Sequence, residues 1–448
     1  MRRIFKKIFP WLILAFVLRL ILMPISFHSD IWTVSFSQYL FAFKGVTNIY
    51  DYLATLSSDS TMIVNYGRNF FTYPPLAYFT LGIFGFILKP FFSSNFLANL
   101  ADNLPNILSD GRLYWHLFLT KFPYLFFDFG ILFLLVGMFD EERKKILAAI
   151  LWLFNPLMLY TSYMVGQFDI IPVFFSLFSV NLVRKRKPFW GALALGVGGA
   201  YKMYPLFFLP FLAINEGKDL KDKMKLFLLG LLPYLVSIMP FLGSPAFRQT
   251  VLFSNQSQKM LFAKINVSGA EYLSLFVVFY IFLLGLCWLK KIDTFGGAES
   301  RILMRNQKHR SVLTLSERWP SDQRVEWVDL WKWFLLVMLL FFGVTHYHPQ
   351  WFLWISPFLI IYLVSYPKYK LFPLFLILSW LGITLFFESS LSLGLFKPIW
   401  PQLEKAKSLS ETLPGYIDVY LLKSLFRSIF AGISLAISIS LLRQNENV

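Results

Sequence analysis

Long apolar runs separated by short polar or basic segments follow one another along almost the whole chain. Several of these runs reach the roughly 18 residues or more that a helix needs to cross a bilayer. The pattern predicts an all-α polytopic membrane protein. The candidate runs are 9–27, 74–93, 113–138, 146–163, 169–183, 189–214, 226–243, 271–289, 329–345, 350–365, 371–388 and 416–442.

The composition supports this class and excludes most soluble ones. Of 448 residues, 57% are hydrophobic and 15% are charged, and the mean hydropathy is +0.58, whereas a soluble domain is about a quarter charged. A disordered chain, a fibrous repeat and an ordinary cytosolic enzyme are therefore excluded. The single cysteine, Cys287, lies in an apolar run, so neither an internal disulfide nor a cysteine-based zinc site is expected.

The net charge of +17 could suit a protein that binds nucleic acid. Here the basic residues lie mainly between apolar runs, as the positive-inside rule requires of a membrane protein. We therefore predict membrane lipids, and no nucleic acid, as partners.

Two runs decide the predicted topology. The run 74–93 begins and ends at prolines, so we expect an interfacial or re-entrant helix; residues 28–112 then form one long outer loop, in which 31–43 is a second interfacial helix. The run 189–214 is broken around Lys202, and we expect it to cross as two half-helices. The result is about twelve transmembrane helices with both ends of the chain in the cytoplasm. The inner segments then hold 26 Lys and Arg residues and the outer segments 11, which supports this orientation.

The organisation follows from these spans. We interpret the basic N-terminus and the run 9–27 as a retained first helix, not a signal peptide, because Arg19 interrupts it. Residues 1–289 form an N-terminal catalytic helix block, 290–328 a basic cytoplasmic linker, and 329–448 a C-terminal helix block.

Polar residues at the predicted outer face are the first candidates for chemistry. Asp30 follows the first helix, and the simplest structural role for it is an N-cap of the helix at 31–43. Gln167 and Asp169 occupy a short turn between two runs, where Asp169 could simply begin the next helix. Lys202 lies at the break in 189–214, where phosphate binding and snorkelling are about equally plausible.

The remaining candidates are histidines and charges within the spans. His346 and His348 resemble a metal pair only weakly, and an aromatic interfacial belt is the simpler interpretation. Arg19 and Asp128 are most simply a buried ion pair that locks two helices together. Lys423 and Arg427, four residues apart near the outer end of the last run, either snorkel or face an anionic lipid head group.

The outer motifs, in this order, resemble the GT-C superfamily of polyprenol-phosphate-sugar-dependent glycosyltransferases. The segment from Asn155 to Lys202 is similar to dolichol-linked glucosyltransferases, and 348–359 is similar to GPI mannosyltransferase I and its prokaryotic relatives. Two departures stand out: Asp30 lacks a second acid beside it, and Trp351 replaces the usual tyrosine. The motifs are HSD at 28–30, Tyr50-Asp51, YPPLAY at 73–78, NPLMLYTSYMVGQFD at 155–169, AYKMYPLFFLPF at 200–211 and HPQWFLWISPFL at 348–359.

This resemblance implies transfer of a mannose- or glucose-like hexose from a polyprenyl-phosphate donor to a lipid-linked or glycan acceptor, with inversion. It also implies a role for each outer residue. Asp30 is the expected base, with a pKa raised by desolvation toward working pH. Lys202, His348 and Gln350 are expected to bind the donor phosphate. The expected contacts to sugar and acceptor are Gln167, Asp169, Asp51, Tyr73 and His28.

Two other classes remain as alternatives. A secondary transporter would need a substrate pathway across the membrane and usually an internal repeat. A lipid-linked glycan polymerase or ligase would carry its large outer loop later in the chain. The transferase hypothesis predicts that Asp30, Lys202, Gln167 and His348 converge on one outer cavity. We expect a prokaryotic plasma membrane with the site on its non-cytoplasmic face. No cofactor is indicated, and a divalent metal and a partner subunit are left open.

Overall fold

The computed structural model describes residues 2–102, 104–254, 258–308, 330–414 and 416–443. Apart from one β-hairpin, the regular structure in these ranges is helical. The α-helices are α1 (Arg2–Ile25), α2 (Ile31–Ala42), α3 (Ile49–Thr55), α4 (Thr61–Tyr66), α5 (Pro75–Leu88), α6 (Ser94–Asp102), α7 (Leu113–Lys121), α8 (Tyr124–Gly137), α9 (Glu142–Leu153), α10 (Pro156–Met158), α11 (Ile170–Arg184), α12 (Pro188–Gly199), α13 (Leu209–Glu216), α14 (Leu220–Ile238), α15 (Pro245–Phe247), α16 (Leu275–Lys308), α17 (Leu330–Val344), α18 (Ser356–Ser365), α19 (Leu371–Leu385), α20 (Leu409–Thr412) and α21 (Val419–Arg443).

Shorter regular segments connect these helices. A π-helical turn, Leu159–Val165, continues α10, and 3₁₀ turns precede α13 at Tyr204–Phe208 and α18 at Pro349–Ile355. The hairpin pairs β1 (Lys264–Ser268) with β2 (Glu271–Ser274) in antiparallel register.

Six helical segments are long and apolar enough to cross a membrane, which makes the chain a multi-pass membrane protein. They are Ile4–Ile25, Leu113–Gly137, Glu142–Val165, Leu220–Phe241, Pro367–Leu385 and Val419–Arg443. The structure does not confirm the twelve spans expected from the sequence, because several apolar runs give shorter helices. The 15 residues of α11, for example, extend about 22 Å, less than the roughly 30 Å of a hydrocarbon core.

The two helices expected within the loop 28–112, at 31–43 and 74–93, are present as α2 and α5. Helix α2 is buried along nearly all its length and packs against α5, so protein and not lipid covers most of its surface. Glycines permit this close packing: a Cβ added at Gly82 would come 2.4 Å from the ring of Phe41. The two elements thereby pack as one layer.

The break predicted in 189–214 is present. Helix α12 ends at Gly199, the chain turns, and the helical structure resumes at Tyr204. Lys202 therefore lies in the turn, with its side chain held between neighbouring elements.

The expected ion pair between Arg19 and Asp128 is formed inside the helix bundle. Arg19 Nε donates to Asp128 Oδ2 at 2.5 Å, and both side chains are buried. Tyr163 and Trp152 also donate to this carboxylate, at 2.7 and 2.8 Å. Such additional hydrogen bonds are needed to offset the desolvation of a buried charge pair, and here they join α1, α8, α9 and the π turn.

Lys121 takes no part in that pair. Its ammonium group donates to the backbone carbonyls of Met23, Ser26 and Tyr163. These carbonyls lie at the C-terminal ends of α1 and the π turn, where helices leave carbonyls unpaired and favour a cation.

The predicted linker 290–328 is described only in its first part. Helix α16 continues through it to Lys308, and residues 309–329 lie outside the described ranges. The two helix blocks on either side pack together: Thr161 donates to the carbonyl of Gln350 at 3.0 Å, and Tyr160 to that of Leu391 at 2.8 Å.

Candidate functional site

A cavity of about 490 Å³ lies where the end of α1, the first loop, the turn after α12 and the 3₁₀ turn before α18 meet. Its wall combines carboxylate, ammonium, imidazole and amide groups with several aromatic rings. Among the residues that line it are His28, Asp30, Tyr73, Lys202, His348, Gln350, Trp351, Trp354 and Glu388. Three of the four residues expected to converge, Asp30, Lys202 and His348, thus share one cavity.

Asp30 is placed to act on a ligand in this cavity. It occupies the N-cap position of α2, yet its side chain makes no capping hydrogen bond. Instead, its Oδ2 accepts from Gln167 Nε2 at 2.6 Å and from Gln350 Nε2 at 3.0 Å. The side chain retains 32% of its exposure, so two amides fix the carboxylate while part of it still faces the cavity.

Gln167, the fourth residue, lies directly behind Asp30. It is buried and does not line the cavity. The preceding Gly166 ends the π turn with φ +89°, and a Cβ there would approach the side chain of Ile31 to 2.7 Å. Only glycine adopts this conformation without strain, and the resulting turn aims the amide of Gln167 at Asp30.

The electrostatics of Asp30 are dominated by His28, which lies between two carboxylates. The His28 Nδ1 atom is 3.3 Å from Asp30 Oδ1, and Nε2 is 3.7 Å from Glu388 Oε1. Burial of the ring opposes protonation, but the two carboxylates outweigh burial and raise the pKa of His28 to about 9.

The pKa of Asp30 moves in the direction opposite to our expectation. Burial by itself would raise it, but the hydrogen bonds from His28 and Gln167 and the charge of Lys202 together hold it below its ordinary value. The sequence-based prediction was wrong because it counted desolvation without these partners. In this state Asp30 is an ionised carboxylate at neutral pH.

Lys202 and Asp169, which were expected to have separate roles, are bonded to each other. Lys202 Nζ donates to both oxygens of Asp169, at 2.8 and 2.7 Å, and Trp354 Nε1 donates to the same carboxylate at 2.5 Å. Asp169 is fully buried and does not line the cavity. A direct contact from Asp169 to sugar or acceptor is therefore not supported; the carboxylate positions Lys202 and neutralises much of its charge.

Aromatic rings complete the surroundings of Lys202. Its ammonium group lies 4.9 Å from the ring centre of Tyr73 and 5.0 Å from that of Phe168. These distances are within the range of cation–π attraction. The contacts leave the lysine little freedom to move away from the cavity wall.

The two histidines of 346–348 face different cavities. His348 lines the cavity of Asp30, and burial together with the charge of Lys259 lowers its pKa to about 4. The ring is therefore neutral at pH 7 and can donate a single hydrogen bond. His346 instead lines a neighbouring cavity.

Asp51 lies away from the site. Its carboxylate accepts from Asn48 at 2.7 Å and from Ser244, and it does not line the cavity. The adjoining Tyr50 donates to the carbonyl of Tyr73 at 2.6 Å. The Tyr50-Asp51 pair therefore supports the loop structurally, and Asp51 is not among the residues that this cavity offers to a sugar.

Sequence reasoning missed Glu388 and Trp354. Glu388 ends the run 371–388, and an acid just beyond an apolar run was the signal available. Trp354 follows Trp351 by one helical turn, and the two rings stack with centres 5.2 Å apart. Among the residues that the structure describes, no group of three or more His, Cys, Asp and Glu side chains could hold a metal ion.

The helical fold, its membrane-length segments and a cavity that holds a fixed carboxylate define a multi-pass membrane protein with an enzyme-like site. Residues 71–294, half of the chain, match the model of glycosyltransferase family 87. The chain belongs to this family and is a membrane glycosyltransferase. The matched region includes Tyr73, Gln167, Asp169 and Lys202, whereas Asp30 and His348 lie outside it. No curated protein shows significant similarity to the sequence.

Proposed function

We propose that the protein transfers a mannose- or glucose-like hexose from a polyprenyl phosphate to a hydroxyl of a lipid-linked or glycan acceptor. The observation that carries this proposal is the carboxylate of Asp30, held by Gln167 and Gln350 and partly open to a cavity that also contains Lys202 and His348. The finer resemblance to dolichol-linked glucosyltransferases and GPI mannosyltransferase I motivates the choice of donor.

In the proposed reaction Asp30 accepts the proton of the acceptor hydroxyl as its oxygen attacks the anomeric carbon. The bond from that carbon to the donor phosphate breaks, and the polyprenyl phosphate leaves with the bonding electrons. A single displacement inverts the anomeric configuration. A bound substrate would cover the exposed part of Asp30, and this desolvation would raise its pKa and strengthen it as a base.

The amide and cationic groups have supporting roles in this proposal. Gln167 and Gln350 hold Asp30 in one orientation, and Tyr73 and His28 flank the space available to the sugar. Lys202 and the neutral His348 donate hydrogen bonds to the leaving phosphate. Since Asp169 offsets the charge of Lys202, the lysine acts here mainly as an oriented donor.

The proposal includes the cellular setting. We infer about twelve crossings with both ends cytoplasmic, in which the shorter apolar helices cross within the protein core, and a prokaryotic plasma membrane with the cavity on the non-cytoplasmic face. The bias of basic residues supports this orientation. Labelling in intact cells of single cysteines, introduced at 59 or 222 after replacement of Cys287 by Ser, tests it, since only position 59 should react with an impermeant reagent.

The deciding experiment uses purified protein in lipid with radiolabelled polyprenyl-phosphate-mannose or polyprenyl-phosphate-glucose and a crude pool of acceptors. We expect turnover that falls by about a hundredfold or more in Asp30→Asn, the scale of losing a general base. Asp59→Asn is the matched control, because Asp59 is an exposed carboxylate of the same loop. A chelator added to the same assay tests dependence on a divalent metal.

Each outcome of the assay has one meaning. Turnover that survives in Asp30→Asn removes Asp30 from the role of base while retaining the donor. Absence of turnover with both donors excludes mannose and glucose phosphates as substrates and directs the search to other sugars. Retention of configuration in the product would contradict a single displacement.

A further inference from the structure

A second cavity, of about 300 Å³, adjoins the first across the segment 346–348. The C-terminal ends of α17 and α19 and the first half of α21 surround it, together with the segment just before the β-hairpin. Phe342, Ile383 and Phe430 give it apolar walls, and His346 and Arg427 contribute polar groups. The cavity is therefore amphipathic, and two of the helices around it, α19 and α21, belong to the membrane-length segments.

Arg427 lacks an acidic partner. Among the described residues, no carboxylate oxygen lies within 4.0 Å of its guanidinium nitrogens, the distance limit for a salt bridge. The guanidinium instead makes a hydrogen bond of 3.1 Å from Nη2 to His346 Nδ1. Because arginine can only donate, Nδ1 of His346 must accept, and the ring proton is then on Nε2. The pair therefore presents donors and one full positive charge.

Two buried hydroxyl groups belong to residues that line this cavity. Thr345 and Tyr347 line this cavity and are 2% and 0% exposed. Neither the Thr345 Oγ1 nor the Tyr347 hydroxyl has a hydrogen-bond partner among the described residues. Burial of a hydroxyl without a hydrogen-bond partner is unfavourable. A ligand whose acceptor oxygens reach these two hydroxyls would therefore be stabilised here.

The surrounding charge has one sign. Lys423 lies one helical turn before Arg427, and both Lys423 and Lys259 act electrostatically on His346. The first cavity, in contrast, contains the carboxylates of Asp30 and Glu388. The basic residues around the second cavity therefore favour an anion there.

We propose that this second cavity binds the phosphate group of a membrane lipid. Arg427 and the Nε2–H group of His346 would bind the phosphate oxygens, and the hydroxyls of Thr345 and Tyr347 would complete the set of donors. The apolar walls accommodate the first carbons of the lipid chain. A phosphate fits better than a carboxylate, because it offers more acceptor oxygens to these several donors.

Both phosphoglycerolipids and polyprenyl phosphates carry this chemistry, and the test separates them. Native mass spectrometry of the purified full chain would measure retention of phosphatidylglycerol and of a short-chain polyprenyl phosphate. Diacylglycerol and the corresponding polyprenol are the phosphate-free comparisons. The variants are Arg427→Gln, Thr345→Val and the control Arg443→Gln, which lies about 24 Å further along α21.

We expect at least one phosphate lipid to bind the wild type, with about tenfold weaker retention in Arg427→Gln and a smaller loss in Thr345→Val, a substitution that keeps the shape of the side chain. Arg443→Gln should bind as the wild type does. Because Arg427 lines the second cavity and not the first, a loss of binding in Arg427→Gln does not depend on the proposed transfer reaction. The lipid whose retention falls in Arg427→Gln is the source of the phosphate. Equal binding by wild type, Arg427→Gln and Thr345→Val, or equal binding of the phosphate-free lipids, would overturn the proposal.

Discussion

Gln350 donates a hydrogen bond of 3.0 Å to Asp30, although the two residues lie 320 positions apart in the chain. This contact joins the C-terminal helix block to the loop that follows the first helix. It means that the environment of the proposed base is completed only when both blocks have packed together.

Replacing Gln350 by Glu tests that contact directly. The substitution exchanges a donor for a second carboxylate beside Asp30, and two carboxylates that share a site raise the pKa of one of them. We expect the acidic limb of the kcat/KM profile to move upward by about one to two pH units. Gln402→Glu is the control, since Gln402 is exposed. Profiles that coincide for wild type and Gln350→Glu would show that Asp30 does not control the acidic limb.

A second prediction concerns the pH dependence of stability through His28. Its pKa is about 9 in the folded protein, against an ordinary value of 6.5. The stabilisation is therefore complete below pH 6.5 and is lost as the pH rises through about 9. Asp30, with its lowered pKa, acts at the other end: its contribution is present at neutral pH and is lost in acid.

The measurement is the apparent melting temperature between pH 6 and 10 for wild type and His28→Gln. We expect the free energy of unfolding of the wild type to fall by about 1–2 kcal/mol over this range, and that of the variant to fall clearly less. This figure is smaller than the full pKa shift of His28 would give, because Asp30 is partly exposed. Glu388→Gln removes one of the two carboxylates and should give an intermediate slope. Parallel curves for wild type and His28→Gln would contradict the assignment.

The buried pair of Lys202 and Asp169 yields a third prediction. Breaking a buried pair by removing one partner costs about 3–5 kcal/mol. Asp169 is fully buried whereas Lys202 lines the cavity, so an unpaired Asp169 cannot reach water but an unpaired Lys202 can. We therefore expect Lys202→Gln to lower the melting temperature more than Asp169→Asn.

The double variant Lys202→Gln with Asp169→Asn separates stability from function. With no charge left unpaired, it should regain much of the lost stability. Its KM for the donor should still rise by about tenfold, the scale of one hydrogen bond to a charged phosphate. A stable double variant with wild-type kinetics would show that Lys202 does not contact the donor.

Some of this site could be predicted from sequence. The positive-inside bias placed Asp30, Lys202 and His348 on the same predicted side, and the prolines and tyrosines around Lys202 indicated the helix break. The pair of Arg19 and Asp128 was predictable because unpaired charges are rare in apolar helices.

The remainder depends on contacts that no local pattern records. Asp169 occupies an N-cap position but makes no capping bond, and its true partners come from two other elements, at Lys202 and Trp354. The lowered pKa of Asp30 follows from His28, Gln167 and Lys202, and an argument from desolvation alone includes none of them. The number of membrane-length helices also differs from the number of apolar runs, because kinks and breaks such as that after Gly199 shorten the helices.

The last prediction concerns Gly166, whose φ of +89° orients Gln167 toward Asp30. A side chain in this conformation costs about 1–2 kcal/mol, and a Cβ would lie 2.7 Å from Ile31 and 3.1 Å from Lys121. In Gly166→Ala we expect a lower melting temperature and at least about a tenfold fall in kcat, since a small displacement of a positioning group is costly. Gly243→Ala is the matched control: a Cβ there meets nothing within 4 Å, so both quantities should stay at wild-type values. If Gly166→Ala melts lower but turns over normally, Gln167 does not position the base; if both variants resemble the wild type, the turn at Gly166 tolerates a side chain.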